Sequence, residues 1–236
     1  MRALTTSLAP LLASALLLLP CLGVADDKLS DIQVWPLVAI NHGFGEDFGF
    51  HLQARGRFDD DVSETKDYLI RPFFTWRAIE GVTLDLGYDY LHSFTGSTEH
   101  RIWQAGQHHL KWRGFTLANR IRIDQRFVEG VNGVVARFRY RLRTTHPIGS
   151  SSLYGALSNE VFANMNERSE GPGQGFEQNR LRFALGGEPL KWLKVESGYE
   201  YQYSESRSGI GTNIHMYFVE FSIATGNKPL LGWAPR

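Results

Sequence analysis

The sequence predicts an all-β protein, an antiparallel transmembrane β-barrel of about 10–12 strands. Three observations support this prediction. Apolar and polar residues alternate with a period of two along most of the chain from Gln33 onward, which is typical of half-buried strands. The alternating segments are roughly 10 to 13 residues long, whereas strands of globular proteins average about 5 or 6 residues. The connections between them are alternately short and long, as in outer-membrane barrels.

Eleven segments follow the strand pattern in chain order. Most alternate strictly, while Glu99–Trp112 and Leu153–Asn164 do so only weakly. About 9 to 11 tilted residues cross a bilayer, so each segment is long enough for one crossing. The predicted strands are Ile32–Asn41, Phe48–Phe58, Asp67–Arg77, Val82–Tyr90, Glu99–Trp112, Phe115–Phe127, Val134–His146, Leu153–Asn164, Phe176–Gly187, Leu193–Tyr203 and Asn213–Ile223.

The connections divide into two sets that alternate along the chain. Residues 78–81, 113–114, 149–152 and 188–192 are short, whereas residues 59–66, 129–133, 165–175 and 204–212 are longer and polar. Aromatic residues follow the same division. Trp76, Trp112 and Trp192 lie beside short connections, and Phe58, Tyr90, Phe94, Phe127 and Tyr203 fall at the opposite strand ends. Two such belts match the two interfaces of a bilayer, although aromatic residues also favour any β-sheet.

The number of strands conflicts with the usual rule, because bacterial barrels have even numbers of strands. The loop lengths place the end of the last segment, Ile223, at the short-turn rim. By parity, Ile32–Asn41 then begins at the opposite, outer rim. Pro36 within it suits an edge or irregular segment better than a central strand. Either ten strands close the barrel and this segment lies elsewhere, or the count is one strand short.

The N-terminus has the features of a secretory signal peptide over residues 1–25. Arg2 supplies a positive charge, Leu8 to Leu19 is almost wholly apolar, and Gly23 to Ala25 offers small residues for cleavage. The apolar run is too short for a membrane-spanning helix. We expect the barrel to occupy residues 26–223 and residues 224–236 to form a C-terminal extension.

Composition narrows the class of protein further. The chain has 236 residues with 25 basic and 25 acidic side chains. This balance argues against a nucleic-acid partner, because proteins that bind nucleic acids usually carry an excess of basic residues. The single cysteine, Cys21, lies in the predicted signal peptide, so we expect no disulfide. No run of about 20 apolar residues follows the signal peptide, so a membrane crossing would be made by strands.

The stretch ARFRYRLRTTH, residues 136–146, places an arginine at every second position from Arg137 to Arg143. In a soluble barrel these arginines would face water, and in a membrane barrel they would face the lumen. Strand length, loop asymmetry and the aromatic belts favour the membrane barrel. Each arginine facing lipid at the midplane would cost roughly 2–4 kcal/mol, so we expect the arginines in the lumen and Phe138, Tyr140 and Leu142 against lipid.

The same reasoning assigns a larger set of charged residues to the lumen. The candidates for anion binding are Arg120, Arg122, Arg126, Arg137, Arg139, Arg141, Arg143, Arg180 and Arg182, and their predicted acidic partners are Asp85, Asp89, Asp124, Glu160, Glu196 and Glu200. Arg55, Arg57, Arg71, Arg77, Lys194 and Glu220 extend the set to fourteen bases and seven acids. The predicted lumen therefore carries seven more positive than negative charges.

This excess allows two interpretations that are compatible with each other. Arginines two apart on a strand are roughly 7 Å from each other and repel. Facing carboxylates would offset the repulsion in a structural network that holds a narrow barrel closed. Alternatively, bidentate guanidinium groups would bind acidic solutes such as sugar acids. A barrel this small is expected to be filled by side chains rather than open like a large porin.

Other chemistry is weakly supported by the sequence. The alternative function is that of a lipid or lipid A hydrolase. The candidate residues for its serine–histidine site are His108, His109, Ser93 and Ser97. The acidic residues 59–61 are expected to form a solvated loop rather than a metal site. Residues 171–175 are glycine-rich but lack the lysine and helix of a phosphate-binding loop. We predict no catalytic residue, no metal and no cofactor.

The chain resembles a family of bacterial outer-membrane proteins catalogued as "domain of unknown function 2490". The resemblance rests on residues 32–35 (IQVW), 57–61 (RFDDD), 101–104 (RIWQ), 119–122 (NRIR), 126–130 (RFVEG) and 176–181 (FEQNRL). It implies an outer-membrane barrel of a Gram-negative bacterium but no activity. Such barrels usually end on an aromatic residue that the assembly machinery reads, whereas residues 224–236 continue past the last predicted strand.

Together these features predict the role and surroundings of the protein. We expect a narrow channel or binder for small anionic solutes, or a structural envelope protein, and no enzymatic activity. The expected partners are outer-membrane lipid, lipopolysaccharide, the barrel assembly machinery and small acidic solutes.

Overall fold

The computed structural model describes residues 30–59, 63–94 and 96–226. The predicted signal peptide and most of the predicted C-terminal extension lie outside these residues. Eleven strands make up the fold: β1 (Ser30–Phe44), β2 (Phe48–Asp59), β3 (Glu64–Ile79), β4 (Val82–Ser93), β5 (Glu99–Trp112), β6 (Phe115–Val128), β7 (Val135–Pro147), β8 (Leu153–Asn164), β9 (Gly175–Leu190), β10 (Leu193–Glu205) and β11 (Gly211–Gly226). Each corresponds to a segment predicted from the alternation, with Val134 of the seventh segment just outside β7.

The strands form one closed barrel in which each strand pairs with its neighbours in the chain. All sequential pairs are antiparallel, and the barrel is closed by β1 and β11, which pair in parallel from Ser30 opposite Asn213 to Gly43 opposite Gly226. The prediction of an all-β barrel of about 10–12 strands is confirmed. No helix in the described parts of the chain is long and apolar enough to cross a membrane.

The expectation of an even strand number is wrong, because β1 is a full member of the wall. The prediction that it begins at the long-loop rim is confirmed. Strands β1 and β11 therefore run in the same direction, and an odd number of strands closes only through such a parallel pair. Pro36 is accommodated because the β1–β2 register passes from Val34–Phe58 to Leu37–Arg55. The proline, which has no N–H to donate, lies where that ladder is interrupted.

The two rims differ as the connection lengths predict. One carries the turns of residues 45–47, 80–81, 113–114, 148–152 and 191–192, and the other carries the longer loops of residues 129–134, 165–174 and 206–210. Trp76, Trp112 and Trp192 are exposed at the short-turn rim, and Phe94 and Phe127 are exposed near the long-loop rim.

The barrel is inside out compared with a water-soluble protein. Its outer face presents a continuous band of large apolar side chains, among them Phe74, which is 60% exposed, and Ile121, which is 52% exposed. The fully buried side chains include Arg122 and Asp124, both 0% exposed. Charged residues are rarely buried in soluble proteins. This distribution is instead the one expected of a barrel with apolar surroundings and a polar lumen.

Aromatic and apolar side chains fill part of the lumen. Trp35, Met216 and Phe218 form a buried cluster with Ala184 on the inner wall. On the opposite wall, Trp103 lies over Gly87, where an added Cβ would be 2.2 Å from the indole ring. A glycine is therefore required for the tryptophan to lie flat across β4, and the barrel interior is narrowed at this level.

Candidate functional site

The candidate site is a cavity of about 400 Å³ inside the barrel, lined by twelve arginines and five glutamates. Eight of the nine arginines predicted as anion-binding candidates line it, and the ninth, Arg122, is buried beside Trp103. The six predicted acidic partners are all buried on the lumenal side. Period-two alternation explains this agreement, because it fixes the face on which each side chain lies.

The charge balance of the lumen is less positive than the sequence predicts. The structure adds one arginine and three carboxylates to the predicted set, and it moves Arg77 to an exposed position at the short-turn rim. Among the described residues, the lumenal charges between the rims are Arg55, Arg57, Arg71, Arg101, Arg120, Arg122, Arg126, Arg137, Arg139, Arg141, Arg143, Arg180 and Arg182, against Asp67, Asp85, Asp89, Glu99, Asp124, Glu160, Glu177, Glu196, Glu200 and Glu220. Lys194 also lies on the lumenal side, with its ammonium group 5.0 Å from the centroid of the Tyr154 ring. Fourteen basic groups against ten carboxylates therefore leave an excess of four.

Near the long-loop rim, two glutamates hold three arginines together. Glu99 accepts hydrogen bonds from the Nε atoms of Arg101 at 2.7 Å and Arg126 at 2.5 Å. Glu177 accepts from Arg126 at 2.9 Å and from Arg137 at 3.1 Å. These pairs cross from β5 to β6, β7 and β9, so they tie four strands together at one level.

At mid-height, two aspartates and the arginines that they bind link four strands, β3, β4, β6 and β7. Asp89 accepts from Arg71 at 2.7 Å and from Arg122 at 2.8 Å. Asp124 accepts from Arg122 at 2.5 Å and from Arg137 at 2.8 Å. Both carboxylates are fully buried. Buried charges are stable only when they are paired in this way, so these residues form a structural network.

Closer to the short-turn rim, the pairs involve glutamates of β8, β10 and β11. Glu160 binds Arg139 at 2.8 Å and Arg120 at 3.1 Å. On the neighbouring strands, Arg182 binds Glu200 at 2.5 Å and Glu220 at 2.6 Å. Glu196 accepts from Arg143 at 2.5 Å and from the Tyr154 hydroxyl at 2.7 Å. Asp85 differs from this pattern, because it accepts from Thr75 at 2.7 Å and Gln107 at 2.8 Å.

Two arginines of the cavity stand apart from the network. Among the described residues, Arg55 and Arg141 line the cavity but have no carboxylate within ion-pairing distance, and the Nε of each is buried without a hydrogen-bond acceptor. The Arg55 guanidinium lies 4.6 Å from the centroid of the Trp35 ring. Strands β2 and β7, which carry these residues, are on opposite walls, with four strands between them one way and five the other.

Several lumenal residues escaped the sequence analysis for identifiable reasons. Glu99 and Arg101 lie on β5, where alternation is weak, although their own spacing of two was a usable signal. Glu177 lies beside a register shift between Phe162 and Ala163, which breaks the period of two. Asp67 begins the third predicted strand, next to the acidic loop, and was not assigned to the lumen, but it is buried and forms an ion pair with Arg57.

The structure does not bring the candidate serines and histidines together. His108 of β5 lies opposite Val82, at the end of β4 near the short-turn rim. Ser93 lies at the other end of β4, and Ser97 follows that strand in the chain. Val82 and Ser93 are eleven residues apart on β4, which corresponds to roughly 36 Å between the level of His108 and that of Ser93. Among the described residues, no cluster of histidine, cysteine or carboxylate side chains could hold a metal ion. Asp59 of the acidic stretch pairs with Lys66 at 2.6 Å.

The fold and the site define a class of protein: a closed β-barrel with an apolar outer face and an arginine-lined lumen. Residues 32–213 match the family described as "Protein of unknown function (DUF2490)", and the chain belongs to that family. An uncharacterized protein of Methylorubrum extorquens is 25% identical over 214 residues, which cover 85% of this chain and 91% of that protein. Among solved structures, LpxR from Salmonella typhimurium is similar with a TM-score of 0.45 at 7% identity, covering 74% of this chain and 83% of that chain.

Proposed function

We propose that the protein is an outer-membrane β-barrel whose lumen binds small anions. The observation that carries this proposal is the pair of cavity arginines, Arg55 and Arg141, that no carboxylate of the described chain neutralises. Both side chains are partly buried, and the Nε of each is shielded from solvent without an acceptor. Removing an unpaired charge from water is costly, and a bound anion would supply the missing partner. Guanidinium groups suit carboxylate and phosphate ligands because their planar fork donates two parallel hydrogen bonds.

The outer-membrane location is supported by the surface of the barrel. A band of exposed residues such as Phe74, Leu86 and Ile121 would be unfavourable in water. In a bilayer the same band contacts lipid, and the tryptophans of the short-turn rim lie at an interface. The partners that follow are outer-membrane lipid, lipopolysaccharide and the barrel assembly machinery, with the short-turn rim on the periplasmic side.

Binding is favoured over free conduction because the lumen is largely occupied. Trp35, Trp103 and Phe162 are each no more than 2% exposed, and Arg122 is fully buried against Trp103. The remaining space of about 400 Å³ is in the range of small-ligand pockets rather than of the wide channels of porins. The proposed role is therefore to hold a small solute, without catalysis.

A structural role for the same lumen is a second candidate, and the ion-pair network favours it. Asp89, Asp124 and Glu160 each bind at least two arginines from different strands. Such cross-strand pairs would hold the wall closed whether or not a ligand is present. The two roles are compatible, because the network involves the paired arginines and ligand binding involves the unpaired ones.

Calorimetric titration of the refolded protein with small carboxylates at constant ionic strength would test the binding proposal. We expect saturable binding to the wild type and weaker binding to Arg141→Gln. The control is Arg77→Gln, which removes an exposed arginine at the short-turn rim and should leave binding unchanged. Absence of saturable binding to a correctly folded barrel, or equal weakening by the two substitutions, would contradict the proposal.

A further inference from the structure

We infer that the lumenal ligand is a small dianion with an acidic group at each end, held between Arg55 and Arg141. This inference rests on the proposed anion-binding function and specifies the ligand. The two guanidiniums line one cavity from opposite walls. A ligand that pairs one acidic group with each guanidinium would therefore extend from one wall of the lumen towards the other.

The surroundings of each arginine make it a receptor for negative charge. Arg141 is repelled by Arg120, Arg143 and Arg182. Two carboxylates attract it without forming an ion pair: Glu160 is bonded to Arg120 and Arg139, and Asp85 is bonded to Thr75 and Gln107. The positive charge of Arg141 is therefore only partly compensated by its neighbours. An incoming carboxylate would meet an arginine whose Nε is already free of any acceptor in the described chain.

Arg55 is held in place by an aromatic ring instead of a carboxylate. The guanidiniums of Arg55, Arg57 and Arg180 all lie within 5.2 Å of the centroid of the Trp35 ring. Arg57 and Arg180 have carboxylate partners in Asp67 and Glu200. Cation–π stacking orients a guanidinium without satisfying its N–H donors, so Arg55 is positioned but still able to bind an acidic group.

The neutral groups that line the same cavity favour a ligand with a neutral, hydrogen-bonding middle. Gln53, Ser158 and Gln178 contribute amide and hydroxyl groups, and Phe162 and Phe218 contribute aromatic rings. The carboxylates of Glu160 and Glu200 also line the cavity and would repel any further negative charge on the ligand. A short dicarboxylic acid, plain or hydroxylated as in a sugar diacid, fits this order of acidic, neutral and acidic groups.

Titrations with matched ligands at constant ionic strength would test the inference. Succinate is compared with its monoamide succinamate, which has similar length and one charge, and glucarate is compared with gluconate. Loss of one charge-assisted contact should weaken binding by about tenfold or more. We expect the wild type to prefer each dianion by this factor, and Arg55→Gln and Arg141→Gln each to abolish the preference.

Conservative variants keep the test interpretable. Arg55→Lys and Arg141→Lys retain the charge, so they should fold like the wild type and keep part of the preference, which separates ligand contacts from effects on folding. Equal binding of mono- and dianions, or a preference that survives both glutamine substitutions, would overturn the dianion inference while anion binding itself stands. Failure of a folded wild-type barrel to bind any of the four ligands would overturn the proposed function and the inference with it.

Discussion

Arg122 and Trp103 lie face to face inside the barrel, with the guanidinium carbon 4.0 Å from the centroid of the indole ring. The Trp103 Nε1 donates to Asp89 at 2.6 Å, and Arg122 donates to the same carboxylate at 2.8 Å. One buried aspartate thus connects an aromatic ring, an arginine and three strands. This relationship explains how a narrow lumen contains so many charges, and it leads to the first prediction.

Asp89→Asn should strongly destabilise the barrel, because it leaves Arg71 and Arg122 without their shared buried carboxylate. Breaking a buried pair costs about 3–5 kcal/mol. The measurement is the free energy of unfolding in lipid vesicles by denaturant titration. Asp59→Asn is the matched control, because its pair with Lys66 is partly exposed and should contribute less than about 1 kcal/mol. Similar small effects of both changes would contradict the structural role of the network.

Gly87→Ala should destabilise the barrel by about 1–3 kcal/mol, which is typical of overpacking. The added Cβ would lie 2.2 Å from the Trp103 ring and 2.7 Å from the Phe73 Cβ. Gly155→Ala is the control, because a Cβ at that position has no neighbour within 4 Å. Equilibrium unfolding of the two variants provides the comparison. Equal stabilities would show that Trp103 does not lie against β4.

Ile121→Arg should impair folding into lipid vesicles by roughly 2–4 kcal/mol, the cost of an arginine on the lipid face near the midplane. Ile121 is 52% exposed near the middle of β6. In a water-soluble barrel the same change at an exposed position would alter stability by less than about 0.5 kcal/mol. Measuring folding into vesicles for Ile121→Arg and the neutral Ile121→Thr distinguishes these cases.

Glu129 should stabilise the outer loops in a pH-dependent manner. Its carboxylate accepts a hydrogen bond from the Thr98 backbone N–H at 3.0 Å, and this bond lowers the pKa of Glu129 below its usual value. A lowered pKa means that the stabilisation is present at neutral pH and is lost as the pH falls through the lowered pKa. The Thr98 amide shift in NMR should therefore titrate with a midpoint below about 4.3, and Glu129→Gln should remove this transition.

Much of the fold was predictable because successive side chains of a barrel strand face the lumen and the outer surface in turn, and the polarity of each residue matches the side that it faces. In β7, the alternation of Arg139 and Arg141 with Tyr140 identified both the strand and its lumenal face. The strand lengths and the alternation of short and long connections could be determined directly from the residue numbers at which the alternating segments begin and end. The same periodicity placed Glu160 and Glu200 in the lumen, since neither strand is interrupted next to them.

The pairing and the closure were not predictable from alternation. Which carboxylate binds which guanidinium depends on the stagger between strands, so the partners of Arg126 or Arg182 required the register. A β-bulge moved Glu177 out of the expected phase. The parallel pairing of β1 with β11 also had no local signal, because it joins residues about 180 positions apart in the chain. For the same reason, the absence of a partner for Arg55 and Arg141 became visible only in the structure.

We expect the barrel to span a membrane and its filled, arginine-lined lumen to bind anions rather than conduct them. Single-channel recording of the refolded protein in a planar bilayer, with and without succinate under a salt gradient, tests this claim most directly. We predict an inserted barrel, verified by its resistance to protease, without a steady ionic current. A steady current with a defined reversal potential would contradict the filled lumen and would show that the arginines line an open path.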